Sequence, residues 1–244
     1  MSTKALYQQD FLVLSNEADI HHRASLYSLS NYLQEAARSH AEKLGWGVEL
    51  LRSQQQFWVL TRLIIEVEAY PKPGQTITVT TWPKGTDRLF ALRDFEVALG
   101  NKIIARATSS WALLDLKSRR PNGLDAMNTI MFERVAIHAI EAIPDKLPAP
   151  AVDARASYHT VTYSELDLNG HVNNTRYINW LLDTFDIAFH KKHSVASVQL
   201  NYLAEVFPDQ TVSISRQETK PNTFLFQVTN TNNKVLFRGL MTFT

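Results

Sequence analysis

The chain repeats itself, and this repeat limits the folds open to it more than any other feature. Glu17-Ala18-Asp19 matches Glu165-Leu166-Asp167 at a spacing of 148 positions, and Asn31-Tyr32-Leu33 matches Asn179-Trp180-Leu181 at the same spacing. Further along, residues 75–79 match residues 210–214 at a spacing of 135. Long matches that keep their order indicate a tandem duplication. The 244 residues are therefore predicted to hold two copies of one domain.

Each copy begins with a helical pattern. In the first copy, Ser25 or Ser28 can cap a helix that Gly45 and Gly47 end. In the second, the pattern ends at Lys191-Lys192-His193, where cations suit a helix C-terminus. The apolar positions recur at helical spacing: Leu29, Leu33, Ala36, Ala37, His40 and Leu44 in the first copy, and Tyr177, Ile178, Leu181, Leu182, Phe185, Ala188 and Phe189 in the second. One long helix per copy is predicted.

Strand patterns follow each helix. The predicted strands are residues 57–70, 75–82, 89–99 and 102–115 in the first copy and 195–204, 211–218, 223–229 and 235–244 in the second, with turns at segments such as Lys84-Gly85 and Pro208-Asp209. Four or five antiparallel strands and one helix per copy indicate an α+β architecture. The copies are placed at 1–120 and 155–244, joined by a proline-rich linker, 121–154, with a short helical pattern near Met131–Ile140.

Composition excludes several classes of protein. The chain has no cysteine, which rules out disulfides, thiolate metal sites and a cysteine nucleophile. A net charge of +1 without a dominant basic stripe argues against nucleic-acid binding. Apolar runs are far shorter than the roughly 20 residues that span a bilayer, and no signal segment follows the N-terminus, so no membrane partner and a cytoplasmic location are expected.

The groups for hydrolysis gather at one motif. Asp167, Asn169 and His171 lie within five residues, and Glu205 follows His171 by 34 positions at the end of a predicted strand. Two carboxylates, an amide and an imidazole are enough to activate water at an acyl carbon without a metal or cofactor. Because a helix is predicted to follow, backbone N–H groups near Val172 and Asn173 are expected to face a developing oxyanion.

Other interpretations of this motif remain open. The pattern Asp-x-Asn-Gly is also ordinary turn and helix-cap chemistry. A calcium loop fails on spacing, because its glycine position falls on Val172 and its terminal glutamate on Ile178. A transition-metal site is disfavoured, since His21-His22 and His171 have no clear third partner.

The first copy serves as an internal control. It keeps the carboxylate as Asp19 but has His21, Arg23 and Tyr70 in place of Asn169, His171 and Glu205. A purely structural turn has less reason to collect all four groups in one copy. One active site per chain is therefore predicted, in the second copy, with the first copy free to shape a binding pocket.

A resemblance to a known family covers the chain. Residues Ser164 to Ile178 closely resemble the second-repeat signature of the acyl-acyl carrier protein (acyl-ACP) thioesterases of bacteria and plant plastids. Segments of the first copy resemble first-repeat motifs of that family: Leu33 to Ala37, Trp58 to Arg62, Thr81-Trp82, Arg93-Asp94, Ala107 to Trp111 and Arg119-Arg120-Pro121.

The resemblance implies a tandem (double) hotdog fold, in which each sheet wraps around one long helix. It also implies hydrolysis of a fatty acyl-ACP to free acid and carrier protein, without a cofactor. The implied catalytic positions are Asp167, Asn169, His171 and Glu205. Many plant members carry cysteine directly after the glutamate, but Val206 stands there in this chain. The expected mechanism therefore uses water, or a carboxylate nucleophile that forms a transient anhydride.

We assign Glu205 or Asp167 as the group that activates water or attacks, His171 as orienter and proton carrier, and Asn169 as the group that polarises the carbonyl. Two rival functions remain: an acyl-CoA thioesterase and a non-catalytic protein that binds acyl ligands. The expected partner is acyl carrier protein with its phosphopantetheine-linked acyl chain. Monomer and homodimer are both compatible with a tandem fold.

Overall fold

The computed structural model describes residues 6–124, 137–151 and 155–244. The chain divides into two compact units, Met1–Pro144 and Asp145–Thr244, which we call the first and second unit. Among the described residues, no helix is both long enough and apolar enough to span a membrane.

The described residues of the first unit form one antiparallel sheet and two α-helices. Its strand order is β1-β3-β4-β5-β2, and every neighbouring pair is antiparallel. In chain order the elements are β1 (Tyr7–Leu12), α1 (Leu26–Lys43), α2 (Val48–Ser53), β2 (Gln56–Val67), β3 (Thr76–Asp87), β4 (Phe90–Leu99) and β5 (Lys102–Asp115).

The second unit repeats this topology. Its strand order, β6-β8-β9-β10-β7, corresponds strand for strand to that of the first unit and is again antiparallel throughout. The elements are β6 (Arg155–Thr160), α3 (Arg176–Leu182), α4 (Ile187–His190), β7 (Val195–Tyr202), β8 (Thr211–Lys220), β9 (Thr223–Asn230) and β10 (Val235–Phe243). The predicted α+β class with antiparallel sheets is confirmed.

Helix α1 forms as the sequence predicts. The Ser25 side chain accepts a hydrogen bond from the Ser28 N–H and caps the helix. The chain leaves the helix at Gly45, whose φ of +77° lies in the left-handed region that favours glycine. The apolar face, with Leu29 and Leu33 almost fully buried, packs where α1 contacts β1 and β3.

The single long helix predicted for the second copy is wrong. The helix ends at Leu182, and a second one starts only at Ile187, capped by Asp186, whose carboxylate accepts from the Phe189 N–H. At the break, Arg216 of β8 donates to both the carbonyl and the hydroxyl oxygen of Thr184, at 2.6 and 3.1 Å. A contact from the sheet thus competes with continued helix.

The predicted strands are confirmed to within a few residues at each end, but two edge strands were not predicted. Among the described residues, β1 pairs with β3 and β6 pairs with β8, and each stands at the end of the strand order. The turn predicted at Lys84-Gly85 is also wrong, because both residues lie inside β3, where the pairing with β4 shifts register between Pro83 and Gly85.

A glycine in β10 lets α3 lie close to the sheet of the second unit. A Cβ atom added at Gly239 would lie 2.5 Å from Cδ1 of Leu181, which is fully buried on α3. Real Cβ atoms do not approach neighbours so closely. Gly239 therefore leaves room for the Leu181 side chain of α3 to pack against β10.

The described part of the predicted linker contacts its own unit on each side of the division. In the first unit, Trp82 donates to the carbonyl of Ile137, and the Ala139 N–H donates to Asp94, both at 2.9 Å. In the second, the Leu147 N–H donates to Asn201 at 2.7 Å. Most of the predicted helix at Met131–Ile140 lies outside the described residues, and residues 137–140 are not helical.

Candidate active site

Asp167, Asn169 and His171 lie on one tight turn that leads into α3. The Asp167 N–H donates to the His171 carbonyl at 2.8 Å, and the Gly170 N–H donates to the Asp167 carbonyl at 3.0 Å. Gly170 has a φ of +75°, which glycine adopts without the steric cost that a side chain adds. The backbone therefore fixes where the three side chains leave the turn.

The Asp167 carboxylate is engaged within this turn. Its Oδ1 accepts the N–H groups of Asn169 and His171 at 2.8 and 3.2 Å. Its Oδ2 accepts from the Asn169 side-chain amide at 3.4 Å. This is the local bonding by which aspartate stabilises turns. The ordinary-turn interpretation of Asp167 is thus part of what the structure shows.

Glu205 reaches the turn from the segment after β7. The Val172 N–H donates to the Val206 carbonyl at 3.0 Å, which joins the turn to this segment. Nδ1 of His171 lies 3.3 Å from Oε1 of Glu205, and the two side chains are 20 % and 37 % exposed. A carboxylate beside Nδ1 favours the tautomer that leaves Nε2 able to take up a proton. The structure therefore brings together two groups that are distant in sequence.

The imidazole has a second neighbour, which the sequence did not reveal. The Phe207 ring packs edge to face with His171, with 4.8 Å between ring centroids and 77° between ring planes. Phe207 follows Val206 directly, so one short segment supplies the carboxylate, the carbonyl that holds the turn, and this ring. The spacing of residues in the sequence does not predict Phe207 as part of the site, because Phe207 belongs to no repeating pattern.

A buried carboxylate at the start of the turn was also missed. Glu165 accepts from Trp180 Nε1 at 2.5 Å, from the Thr162 N–H at 2.7 Å and from His159 at 2.9 Å. Its own carbonyl accepts from the Asn173 N–H at 2.9 Å, which closes the turn. Burial opposes ionisation, but the hydrogen bonds from Trp180, Thr162 and His159 outweigh it and lower the Glu165 pKa.

Two tyrosines lie beneath the site as neutral phenols. Burial, and to a lesser degree the charge of Glu205, raises the pKa of Tyr177 above its ordinary value. Burial likewise raises the pKa of Tyr202, whose hydroxyl donates to the Asn174 carbonyl at 3.0 Å. Both stay protonated at neutral pH and supply no base to the site.

The first unit contains the same turn without the same chemistry. The Asp19 N–H donates to the Arg23 carbonyl at 2.8 Å, and the Asp19 carboxylate accepts the His21 N–H at 2.8 Å, as in the second unit. Arg23 stands where His171 would be, and its guanidinium lies 4.3 Å from the centre of the Tyr70 ring, at the position of Glu205. The backbone is shared, while the imidazole and its carboxylate partner are not.

The expectation that the Val172 and Asn173 amides face an oxyanion is wrong. Both N–H groups are already bonded, to the carbonyls of Val206 and Glu165. These bonds hold the turn against its neighbours and leave neither donor for substrate.

The described residues bring together no group of three or more His, Asp or Glu side chains of the kind that holds a metal ion. Two side-chain contacts join the predicted residues, one between His171 and Glu205 at 3.3 Å and one between Asp167 and Asn169 at 3.4 Å. The imidazole and the Glu205 carboxylate are both partly exposed, and both are groups that can accept and return a proton.

Comparison with known proteins extends over both units. The profile of the acyl-ACP thioesterase N-terminal domain matches residues 4–126, and that of the C-terminal domain matches residues 149–242. An oleoyl-acyl carrier protein thioesterase from the chloroplast of Arabidopsis thaliana is 28 % identical over 93 % of this chain and 66 % of the plant protein. A dodecanoyl-[acyl-carrier-protein] hydrolase from Cinnamomum camphora is 28 % identical over 84 % of this chain and 57 % of its own length. The chain spans about half to two thirds of the curated relatives that it matches.

Solved structures are similar over nearly the whole chain. The crystal structure of an acyl-ACP thioesterase from Bacteroides thetaiotaomicron superposes with a TM-score of 0.84 at 28 % identity, covering 98 % of each chain. The 12:0-ACP thioesterase from Umbellularia californica, at 24 % identity and a TM-score of 0.83, covers 98 % of this chain and 97 % of its own and shares the fold. Since both profiles match in order and the bacterial structure agrees from end to end, the chain belongs to the acyl-ACP thioesterase family.

Proposed function

We propose that this protein hydrolyses fatty acyl-ACP to free fatty acid and carrier protein, as a chain-terminating step of fatty acid biosynthesis. The observation that carries this proposal is the contact between His171 and Glu205 at 3.3 Å, within a chain of the acyl-ACP thioesterase family. Relatives are named for oleoyl, palmitoyl and dodecanoyl carrier-protein substrates. The substrate class is therefore a long acyl group on a carrier protein.

The reaction proceeds by attack of water on the thioester carbonyl. Glu205 takes a proton from water as the oxygen bonds to the carbonyl carbon, and the Asn169 amide donates to the carbonyl oxygen as charge develops. The C–S bond then breaks, and the leaving thiolate receives the proton through His171. Water and thioester give acid and thiol, so the protons balance without a cofactor.

Glu205 is favoured over Asp167 as the base. The Asp167 carboxylate accepts three hydrogen bonds inside its own turn, which occupy three of the roughly four lone pairs that a carboxylate offers. The equivalent Asp19 makes similar bonds in a unit that lacks the other three groups. We therefore assign Asp167 to holding the turn and Glu205 to the proton transfer.

We further propose that each of the two units contains a hotdog repeat, at 1–120 and 155–244, and that residues 121–154 link the repeats. The identical strand order of the two sheets and the similarity to the bacterial thioesterase structure support this. The cytoplasmic location and the choice between monomer and homodimer stay predictions.

A hydrolysis assay on a panel of acyl-ACP substrates of different chain length tests the proposal. The wild-type protein should release free acid, and Glu205→Gln should lower kcat by about a hundredfold or more, as expected for loss of a general base. Release at the wild-type rate by Glu205→Gln would remove this residue from the mechanism.

A second assay compares acyl-ACP with acyl-CoA substrates that carry the same acyl groups, and so tests which carrier the protein prefers. Docking of an acidic carrier protein weakens as salt screens the charges, so kcat/KM for acyl-ACP should be the higher at low salt and fall as salt rises. Equal kcat/KM on both carriers at every salt concentration would favour the acyl-CoA alternative. Acyl binding without hydrolysis of either would indicate a non-catalytic protein.

A further inference from the structure

We propose that Phe207 is a positioning residue, which fixes the orientation of the His171 imidazole toward Glu205 and so supports the proton transfer. This inference rests on the proposed function and deepens it. Phe207 contacts the imidazole ring edge to face, with centroids 4.8 Å apart, and it is 42 % exposed. It takes no part in proton transfer itself, since its ring has no acid or base.

The need for such a contact follows from the side-chain torsion of histidine. Rotation about the Cβ–Cγ bond has broad minima, so the imidazole has little intrinsic preference for the orientation seen here. Glu205 alone holds the ring weakly, because its carboxylate is 37 % exposed and water competes for it. A packed aromatic neighbour restricts the rotation that would carry Nδ1 away from the carboxylate.

The backbone that carries Phe207 is itself fixed. The Phe207 N–H donates to Oε1 of Gln210 at 3.3 Å, and the Phe207 carbonyl accepts from the Gln210 N–H at 3.4 Å. In the first unit, Lys72 and Gln75 make the same two contacts, at 2.7 and 3.1 Å. Lys72 is therefore the structural equivalent of Phe207, with the same backbone and a different side chain.

The two units place their aromatic ring at different positions of this segment. In the first, Tyr70 packs against Arg23, so the aromatic ring occupies the position equivalent to Glu205. In the second, the carboxylate takes that position and the ring stands two residues later, at Phe207, against His171. In both units, therefore, an aromatic ring contacts the side chain at the position of Arg23 or His171. In the second unit a carboxylate, Glu205, contacts it as well.

Kinetics and NMR of Phe207→Ala test the proposal, with Leu203→Ala as the matched control. Leu203 is 49 % exposed in the same segment, so both variants shorten a partly exposed apolar side chain. Phe207→Ala should lower kcat roughly threefold to tenfold, the effect of losing one aromatic pair, and leave KM and the melting temperature nearly unchanged. Phe207→Tyr, which keeps the ring, should restore kcat, and Leu203→Ala should match the wild type.

The NMR arm is independent of activity. The His171 ring protons, assigned by their loss in His171→Asn, should change chemical shift in Phe207→Ala, because the ring current of Phe207 is gone, and stay in place in Leu203→Ala. Unchanged kcat in Phe207→Ala, or unmoved His171 signals, would overturn the proposal. If the wild-type protein hydrolyses no thioester, the proposed function fails, and the His171 signals then decide whether the Phe207 ring lies against the imidazole.

Discussion

The His171 turn is contacted by three consecutive residues, Glu205, Val206 and Phe207. Glu205 lies against Nδ1, Phe207 packs on the ring, and Val206 between them turns its side chain fully into the interior. The Val206 carbonyl accepts from the Val172 N–H, next to the histidine. The middle residue therefore acts through its backbone, and its side chain has no path to a substrate.

This arrangement makes a prediction for Val206→Cys, which introduces a thiol where many plant members carry cysteine. Because the side chain is 0 % exposed, kcat should stay close to that of the wild type, and iodoacetamide should not inactivate the native protein. The chain has no other cysteine, so a thiol reagent reports on this residue alone. Labelling should require unfolding.

Leu203→Cys is the control, since Leu203 is 49 % exposed and a thiol there should react at once in the native protein. Rapid labelling of native Val206→Cys, or loss of its activity on alkylation, would show that the side chain reaches the substrate.

At this scale the sequence revealed the chemical groups but not their partners. Asp167, Asn169, His171 and Glu205 were predictable as residues because of their types and spacing. The bonds that occupy the Val172 and Asn173 amides come from carbonyls of other segments, and no local pattern records them. Phe207 was not predicted as a site residue for the same reason, because its contact with His171 depends on the fold.

At the scale of elements, the turn is held by Glu165, which connects β6, the turn and α3. Its carboxylate receives His159 from β6 and Trp180 from α3, and its carbonyl receives the N–H of Asn173. The first unit has Glu17 with Tyr32 at the corresponding place, where Tyr32 donates at 2.6 Å. Both units therefore share this contact between the glutamate and an aromatic side chain of the helix.

The Glu165 link should make stability depend on pH. Because hydrogen bonds lower the folded-state pKa of Glu165, ionised Glu165 stabilises the protein above its unfolded-state pKa, and this contribution is lost as the pH falls through the lowered pKa. Urea unfolding of the wild type and Glu165→Gln should therefore differ most near neutral pH and converge in acid.

His159→Phe, which installs the residue found at the equivalent Phe11, is the companion variant. It removes one of the groups that lower the Glu165 pKa, so its pH dependence should be weaker than that of the wild type. A difference between wild type and Glu165→Gln that does not change with pH would show that the charge of Glu165 contributes nothing.

The elements themselves were predictable where a local signal exists. Helix α1 has a serine cap, a glycine end and a long apolar face. Most strands are segments with a strand-like residue pattern, and turn residues mark where they begin and end. The helix break at Thr184 was not predictable, because Arg216 reaches it from a strand 32 positions later. The edge strands β1 and β6 were missed because each is only six residues long and rich in polar residues, as edge strands often are. Such a short segment shows no clear pattern in the sequence.

At the scale of the whole molecule, the chain holds two similar turns, and the four residues proposed to act are found together at the turn of the second unit. Paired substitutions at equivalent positions test this division. His171→Ala should lower kcat by about a hundredfold or more, as expected for loss of a proton carrier, whereas Arg23→Ala, its equivalent in the first unit, should keep kcat.

Melting temperatures of both variants show whether each still folds, since Arg23 pairs with Asp19 and packs on Tyr70. A folded Arg23→Ala variant as slow as His171→Ala would mean that both turns serve one reaction.

The missing side chain of Gly239 has a consequence far from β10. Helix α3 begins directly after the turn that carries His171, and Leu181 on that helix occupies the space that a side chain at position 239 would need. Any larger residue would have to displace this Leu181 side chain, because a Cβ atom there would lie 2.5 Å from its Cδ1. The packing between β10 and the helix that follows the His171 turn thus depends in part on an atom that the chain does without.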